Sequence, residues 1–303
     1  MPNPRIHRRF IGFRKIDMYG DIWPPFTVKI ELVRGCSHHC EYCWSRHSDS
    51  LKFMHPEHLK IILDNIARLQ WECRVEFTGD GDPSLHPALN SIVNLYSRRI
   101  AHQSANINVH TTCVGWGNDY IPQMIDLFKS GATSVWISNY KKNAKTWNGF
   151  GEGAVALLER YIPDLNVHMF RTFNTRFRWD RKHLILVPSP KKRKTLHNWG
   201  ANAFEANDSR AGLPCALPTR EMVIRYDGTI TICECDSNHE AVMGHVSQGL
   251  RSVWESEVFK AARARLKAGD RSQRPCKGCD IGETYSFRKI ELNPNRPKTA
   301  PSV

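Results

Sequence analysis

Hydrophobic positions recur with two different periods along the first two thirds of the chain. In FTVKIELV (26–33), Val28, Ile30 and Leu32 occupy every second position, which predicts a strand. In PEHLKIILDNIARL (56–69), apolar residues recur at intervals of three and four, which predicts a helix. Further strands are predicted near RVEFT, NINVHTT, SVWISN, NVHMFRTF and HLILVP, and further helices near PALNSIVNLYSRR, IPQMIDLFKSG and EGAVALLERYI. About six strand–helix units predict an α/β protein with a parallel sheet, either doubly wound or curved into a partial barrel.

The pattern changes after Trp199. EMVIRYDGTITICEC (221–235) predicts a hairpin that turns at Asp227 and Gly228, and SVWESEVFKAARARLKAG (252–269) predicts one helix that ends at a glycine. We therefore divide the chain into a basic extension (1–25), a sheet-forming domain (26–200), a small cysteine-rich domain (201–292) and a tail (293–303) expected to be disordered.

Polar and cysteine-rich segments follow the predicted strands. Cys36–Cys43 follow the first strand, GDGDP (79–83) the second, Thr111 and Thr112 the third, and Ser138 the fourth. The carboxyl ends of parallel strands meet at one edge of a sheet, where α/β proteins bind their ligands. The sequence therefore predicts a site at this edge.

Cysteine content and charge limit the chemistry and the partners. The chain has 10 cysteines and neither an export signal nor an apolar segment long enough to span a membrane, so we expect a cytoplasmic protein with reduced, metal-binding thiols. The net charge of +13 favours anionic partners, although a solvated basic surface explains it equally well. Arg171 and the arginines that follow it are candidates to bind a phosphate or a carboxylate.

Three cysteines stand close together in CSHHCEYC, at Cys36, Cys40 and Cys43. A structural metal site usually has four protein ligands, whereas three thiolates on a cubane iron–sulfur cluster leave one iron open for chemistry. The alternative is a zinc site in which His38 or His39 supplies the fourth ligand.

This loop, directly after the first strand of an alternating strand–helix chain, resembles the cluster loop of the radical S-adenosylmethionine (SAM) superfamily. The resemblance implies a partial (βα)6 barrel and a [4Fe-4S] cluster whose open iron is chelated by SAM. It also implies reductive cleavage of SAM to a 5′-deoxyadenosyl radical, with one electron from a reductant such as flavodoxin or ferredoxin.

The same resemblance implies roles for further residues. GDGDP resembles the family's Gly-Gly-Glu-Pro segment, so Gly79, Asp80, Gly81 and Asp82 would bind the methionine part of SAM. Asp82 replaces the glutamate that would bind the amino group, and Asp80 is an alternative. Ser138 would bind the ribose with help from Thr111 or Thr112, and Tyr42 would pack near the adenine.

The second cysteine group resembles the auxiliary-cluster extension of this superfamily, in the short form called twitch rather than the longer SPASM form. Cys215, Cys233, Cys276 and Cys279 would hold a second [4Fe-4S] cluster, and Cys235 is a possible substitute ligand. Zinc is the alternative for four cysteines in this arrangement.

The resemblance implies an enzyme that removes a hydrogen atom from an anionic substrate and oxidises it through the auxiliary cluster. The substrate class stays open among a small molecule, a nucleotide or nucleic-acid base, and a ribosomal peptide, and radical rearrangement is an alternative reaction. A non-catalytic iron–sulfur or zinc protein that binds nucleic acid is the alternative class. The sequence identifies no catalytic base.

Overall fold

A computed structural model describes residues 24–37, 43, 50–71, 73–100, 106–138, 152–169, 182–187 and 210–281. Cys40, Tyr42 and Arg171 lie outside these residues. No helix in these ranges is both long and apolar enough to cross a membrane.

A mixed sheet of nine strands organises the described residues. The strands are β1 (Thr27–Ile30), β4 (Arg74–Phe77), β5 (Ile107–Thr111), β6 (Ser134–Ser138), β7 (Leu165–Met169), β8 (Lys182–Val187), β9 (Glu221–Ile224), β10 (Thr229–Thr231) and β11 (Val242–His245). A separate two-stranded sheet pairs β2 (Val33–Arg34) with β3 (Lys52–Phe53). The predicted parallel sheet is confirmed, since β1, β4, β5, β6, β8 and β7 are neighbours in that order and every pair is parallel. The last two strands are reversed relative to chain order, so β8 lies inside and β7 at the edge.

The predicted carboxyl-terminal hairpin belongs to this same sheet. Strand β9 pairs in parallel with β1, from Thr27 beside Glu221 to Ile30 beside Ile224. Strand β10 then pairs antiparallel with β9, and the turn between them places Gly228 at a φ of 85°, a conformation that glycine adopts readily. The cysteine-rich region is therefore hydrogen-bonded directly to the first strand.

The helices are α1 (Pro56–Leu69), α2 (Leu89–Ile100), α3 (Tyr120–Lys129), α4 (Glu152–Tyr161), α5 (Leu217–Arg220), α6 (Leu250–Trp254) and α7 (Glu257–Lys267). The single helix predicted for residues 252–269 is wrong. Ser256 adopts an extended conformation and its side chain accepts a hydrogen bond from the Phe259 amide (3.2 Å), so it ends one helix and caps the next. The first predicted strand is also shorter than expected, because it ends at Ile30 and Val33 joins the small second sheet.

The two faces of the sheet differ in polarity. Val28, Ile30, Val75, Phe77 and Val109 are fully buried in the core that includes the helices. Side chains alternate between faces along a strand, so the intervening residues lie on the opposite face. We call this the inner face; it carries Lys29, Arg74, Glu76, Asn108, His110, Ser134, Trp136, His168, His183 and Glu221.

Candidate functional site

The GDGDP segment lies against the chain that leads to the first cysteines. A Cβ atom on Gly81 would stand 2.3 Å from the carbonyl oxygen of Val33 and 2.7 Å from that of Gly35, the residue before Cys36. Gly79 has a φ of 152°, and a Cβ atom there would stand 2.7 Å from Cγ of Glu31. Only glycines allow this close approach. Cys36 and Cys43 are both half-buried.

Asp82 is surrounded by hydrogen-bond donors. Its Oδ1 accepts from the amide (2.9 Å) and hydroxyl (2.7 Å) of Ser84 and from the hydroxyl of Thr111 (2.6 Å). Its Oδ2 accepts from the amide (2.5 Å) and hydroxyl (2.6 Å) of Thr112. Five donors fill the approximately four lone-pair positions of a carboxylate. The structure therefore brings together the predicted Asp82 and Thr111, and Asp82 joins the ends of β4 and β5.

Asp80 belongs to a buried charged group at the same edge. Its carboxylate stands 3.4 Å from Nη1 of Arg225 and 3.7 Å from Nη1 of Arg34. Its amide donates to Glu31 (3.3 Å), which also accepts from the Tyr226 amide (3.3 Å). Burial, followed by the charge of Asp80, raises the pKa of Glu31 from 4.5 to about 7, against the opposing effect of Arg225 and Arg34. We call Glu31, Gly79–Asp82 and Thr111–Thr112 the cofactor rim.

Lys29 is the central cation of the inner face. Its ammonium is 2.9 Å from Glu221 and forms a close ion pair with Glu234. Burial would lower the pKa of Lys29, but Glu221, Glu234 and Glu76 together raise it well above its ordinary value. Glu76 is itself paired with Arg74 at 3.1 Å. Three carboxylates thus accompany two cations on this part of the inner face.

A hydrogen-bond chain continues across the next strands. Asn108 donates to Glu76 (3.4 Å) and accepts from the Ser134 hydroxyl (2.7 Å), which in turn accepts from the Trp136 ring nitrogen (3.1 Å). His110 stacks on Trp136 with ring centroids 5.1 Å apart and an angle of 8°. Its Nε2 is buried and has no hydrogen-bond partner among the described residues. Burial lowers the pKa of His110 below 6.5, although Glu76 opposes this.

These inner-face residues were missed at the sequence level, although a signal for them exists. VKIE, RVEF, INVH and SVWIS each place a polar or aromatic residue between two buried apolar ones. This alternation indicates a sheet with one polar face. The same alternation predicts the strands, and it also predicts which of their residues share the polar face.

Ser138 is the last residue of β6 and is half-buried. Its neighbour Ile137 pairs with Thr111, so Ser138 lies at the same edge as the cofactor rim.

Five cysteines line one cavity in the carboxyl-terminal region. The lining residues are Cys215, Leu217, Pro218, Cys233, Cys235, Leu266, Arg271, Pro275, Cys276, Cys279 and Ile281. Cys235 lies within hydrogen-bond reach of both Cys233 and Cys279. The nine described cysteines form no disulfide, and no three His, Cys, Asp or Glu side chains in the described ranges are arranged to hold a single metal ion. We call this site the auxiliary cavity.

The chemistry of the auxiliary cavity fits an iron–sulfur cluster. The walls between the thiols are mostly apolar, so the cavity offers sulfur ligands and excludes water.

Comparison with known proteins identifies both regions. Residues 30–138 match the model of the radical SAM superfamily, and residues 215–280 match SPASM, an iron–sulfur cluster-binding domain. The S-adenosyl-L-methionine-dependent 2-deoxy-scyllo-inosamine dehydrogenase of Niallia circulans is 20% identical over 260 residues, which is 84% of this chain and 92% of that protein.

Two solved structures share the fold. The crystal structure of BtrN in complex with AdoMet and 2-DOIA has a TM-score of 0.68 at 19% identity and covers 89% of this chain and 98% of its own. The structure of anSMEcpe with bound AdoMet has a TM-score of 0.51 at 13% identity and covers 88% of this chain and 95% of its own. The two matched domains imply SAM and iron–sulfur clusters as cofactors. The chain therefore belongs to the radical SAM superfamily, as an oxidoreductase-like enzyme with a SPASM iron–sulfur cluster-binding domain.

Proposed function

We propose that this enzyme dehydrogenates a small hydroxylated or aminated substrate held over the inner face. The observation that carries the proposal is the hairpin that continues the sheet from β1 to Cys233. This hairpin connects the polar face that would hold a substrate with the auxiliary cavity, whose cluster would accept an electron. The 2-deoxy-scyllo-inosamine dehydrogenase that resembles this chain bears a name for a reaction of the same class.

The cluster ligands are part of this proposal. Cys36, Cys40 and Cys43 would hold a [4Fe-4S] cluster with one iron open to SAM. Cys215, Cys233, Cys276 and Cys279 would hold a second one in the auxiliary cavity, with Cys235 as a reserve thiol. When bound, SAM and the first cluster would supply a 5′-deoxyadenosyl radical able to remove a hydrogen atom from carbon. The second cluster would supply an acceptor for the electron left on the substrate.

The cofactor rim would bind SAM mainly through its backbone. The Asp82 carboxylate has its acceptor positions filled by Ser84, Thr111 and Thr112, so its role would be to hold the segment in shape. The backbone of Gly79–Asp82 would then receive the methionine amino group, in place of the Asp82 or Asp80 side chain. Ser138 would bind the ribose and Tyr42 would pack near the adenine.

Charge on the inner face favours a substrate that is not an anion. Glu76, Glu221 and Glu234 outnumber Lys29 and Arg74, and all five are largely buried. An added anion would face this carboxylate excess, whereas hydroxyl and ammonium groups would be stabilised by it.

His110 is our candidate for the proton acceptor. The His110 side chain is half-buried on the inner face, and its buried Nε2 has no hydrogen-bond partner among the described residues. Burial lowers the pKa of His110, which keeps the ring neutral at pH 7. For an alcohol substrate, loss of one hydrogen atom from carbon, one proton from the hydroxyl to Nε2 and one electron yields the carbonyl product.

The test uses anaerobically reconstituted protein, SAM, dithionite and a panel of deuterated cyclitols and aminocyclitols. We expect deuterium in 5′-deoxyadenosine and a product two hydrogens lighter than the substrate. His110→Gln should lower the rate of product formation about 100-fold. His183→Gln is the matched control, because His183 lies on the same face but already contacts His168 at 3.1 Å. Equal rates in both variants would remove His110 from the mechanism.

An anionic substrate is a second candidate, which the net charge of +13 favours. In that case Arg171 would bind a phosphate or a carboxylate, and Arg171→Gln would raise KM about tenfold for an anionic substrate alone.

We expect a one-electron donor such as flavodoxin or ferredoxin to replace dithionite, and purified donors in the same assay test this.

A further inference from the structure

Arg225 is a buried guanidinium group directly after β9, only 1% exposed. Its Nη2 donates to the carbonyl oxygens of Cys233 (3.3 Å), Glu234 (3.2 Å) and Asp236 (2.7 Å). Its Nε donates to the hydroxyl of Thr231 (3.1 Å). One side chain therefore holds the loop that carries a cysteine of the auxiliary cavity.

The other end of the same guanidinium reaches the cofactor rim. Nη1 stands 3.4 Å from Asp80, in the GDGDP segment. Arg34, two residues before Cys36, stands 3.7 Å from the same carboxylate and donates to the carbonyl oxygen of Ser237 (3.0 Å). Asp80 thus lies between two arginines, both of which also contact the loop that follows Cys233.

Arg271 lines the auxiliary cavity and offers a contrast with Arg225. It donates to the carbonyl oxygens of Leu213 (2.8 Å), Pro214 (2.9 Å), Cys279 (3.3 Å) and Ile281 (2.7 Å). It forms no ion pair with any of the described residues. Arg271 therefore supports the auxiliary cavity locally, without a contact to the cofactor rim.

We propose that Arg225 is a positioning residue that couples the SAM-binding segment to the auxiliary cavity through Asp80. The inference rests on the proposed function, because it requires SAM at the rim and a cluster in the cavity. A buried guanidinium must keep its carboxylate partner, so a shift of Asp80 when SAM binds changes the position of Arg225 and of the Cys233–Asp236 carbonyl groups. Carbonyl dipoles and nearby charge set the potential of an iron–sulfur cluster. Coupling between two binding equilibria is reciprocal.

The experiment is an anaerobic redox titration of the auxiliary cluster, followed by electron paramagnetic resonance, with and without SAM. In the wild type we expect SAM to change the ratio of reduced to oxidised auxiliary cluster at a fixed potential about tenfold, equal to about 59 mV for one electron. In Arg225→Gln the SAM dependence should disappear, and the Kd for SAM should rise about tenfold.

Arg271→Gln is the matched control. It should shift the auxiliary potential but retain the wild-type response to SAM and the wild-type Kd for SAM. A response to SAM in Arg225→Gln equal to that of the wild type would overturn the proposal, and so would a wild type with two clusters and no response.

Two further variants cover the case in which Arg225→Gln fails to fold. Arg225→Lys keeps the charge but loses the forked donors, and Asp80→Asn removes the ion pair without a change in the cavity. Each should lose most of the SAM response, and full retention in either refutes the coupling. A wild type with a single cluster signal would instead refute the proposed function, before any variant is compared.

Discussion

The cofactor rim and the auxiliary cavity differ in polarity: the rim is charged and polar, whereas the cavity is mostly apolar and lined by thiols. At the rim, the buried carboxylates of Glu31, Asp80 and Asp82 are held by backbone amides, hydroxyls and arginines. In the cavity, thiols alternate with Leu217, Leu266 and Ile281. A polar, charged rim suits a ligand that enters and leaves with each turnover, whereas an apolar thiol cavity suits a resident group shielded from water. From this contrast we infer that the two cysteine groups would serve different stages of one reaction.

Substitution of one cysteine in each group should separate the two regions by function. Cys43→Ala should abolish SAM cleavage, because the first cluster loses one of its three thiolates. Cys276→Ala should retain SAM cleavage and lose the oxidised product. Mass spectrometry of 5′-deoxyadenosine and of the product measures both quantities. Loss of SAM cleavage in both variants, with the first cluster intact in Cys276→Ala, would contradict this division.

Asp82→Ala tests the rim as a hydrogen-bonded structure. Removal of the carboxylate leaves buried donors of Ser84, Thr111 and Thr112 without an acceptor, so the free energy of unfolding should fall by about 3 kcal/mol. Anaerobic urea unfolding measures it. Asp82→Asn is the control and should lose less, because its amide keeps one acceptor oxygen. An unchanged stability in Asp82→Ala would show that water replaces the carboxylate.

Glu31→Gln tests the raised pKa at the rim. The pKa of Glu31 rises from 4.5 to about 7, so the folded state prefers the neutral carboxyl. The stability that comes from this group is complete below pH 4.5 and is lost as pH rises to about 7, a loss of up to about 3 kcal/mol. The thermal midpoint should therefore fall less between pH 5 and pH 8 in Glu31→Gln than in the wild type.

An exposed carboxylate provides the control for this measurement. Glu159 lies on the solvent side of α4, and Glu159→Gln should follow the wild-type pH dependence. If Glu31→Gln also follows it, then Glu31 is ionised in the folded protein.

Two neighbouring cysteines of the auxiliary cavity should differ in their effect on iron content. Cys235→Ser should leave the iron content nearly unchanged, since we propose that Cys235 is a possible substitute ligand and that Cys233 is the ligand. Cys233→Ser should lose the auxiliary cluster. Iron and sulfide analysis with electron paramagnetic resonance compares the two variants, and the reverse result would assign Cys235 as the ligand.

Much of the fold could be predicted because it rests on local patterns. Helix α1 begins and ends where the apolar period of PEHLKIILDNIARL predicts, and Gly269 follows the last helix with a φ of 82°. The break at Ser256 was missed because the apolar period continues across it, and only the cap geometry separates the two helices. The order of β7 and β8 in the sheet could not be predicted either, since periodicity identifies strands but not their neighbours.

Cysteine spacing and the position of each motif after its strand are local properties of the chain. The family and the sulfur ligands could therefore be inferred from the sequence alone. How these parts contact each other depends on the tertiary structure. The amide of Asp80 reaches Glu31 across 49 positions, and Arg225 reaches Asp80 across 145. The tertiary structure also surrounds the Asp82 carboxylate with hydrogen-bond donors and places the hairpin beside β1. These contacts depend on packing between residues that are distant in the chain. Local periodicity does not predict which distant residues contact each other.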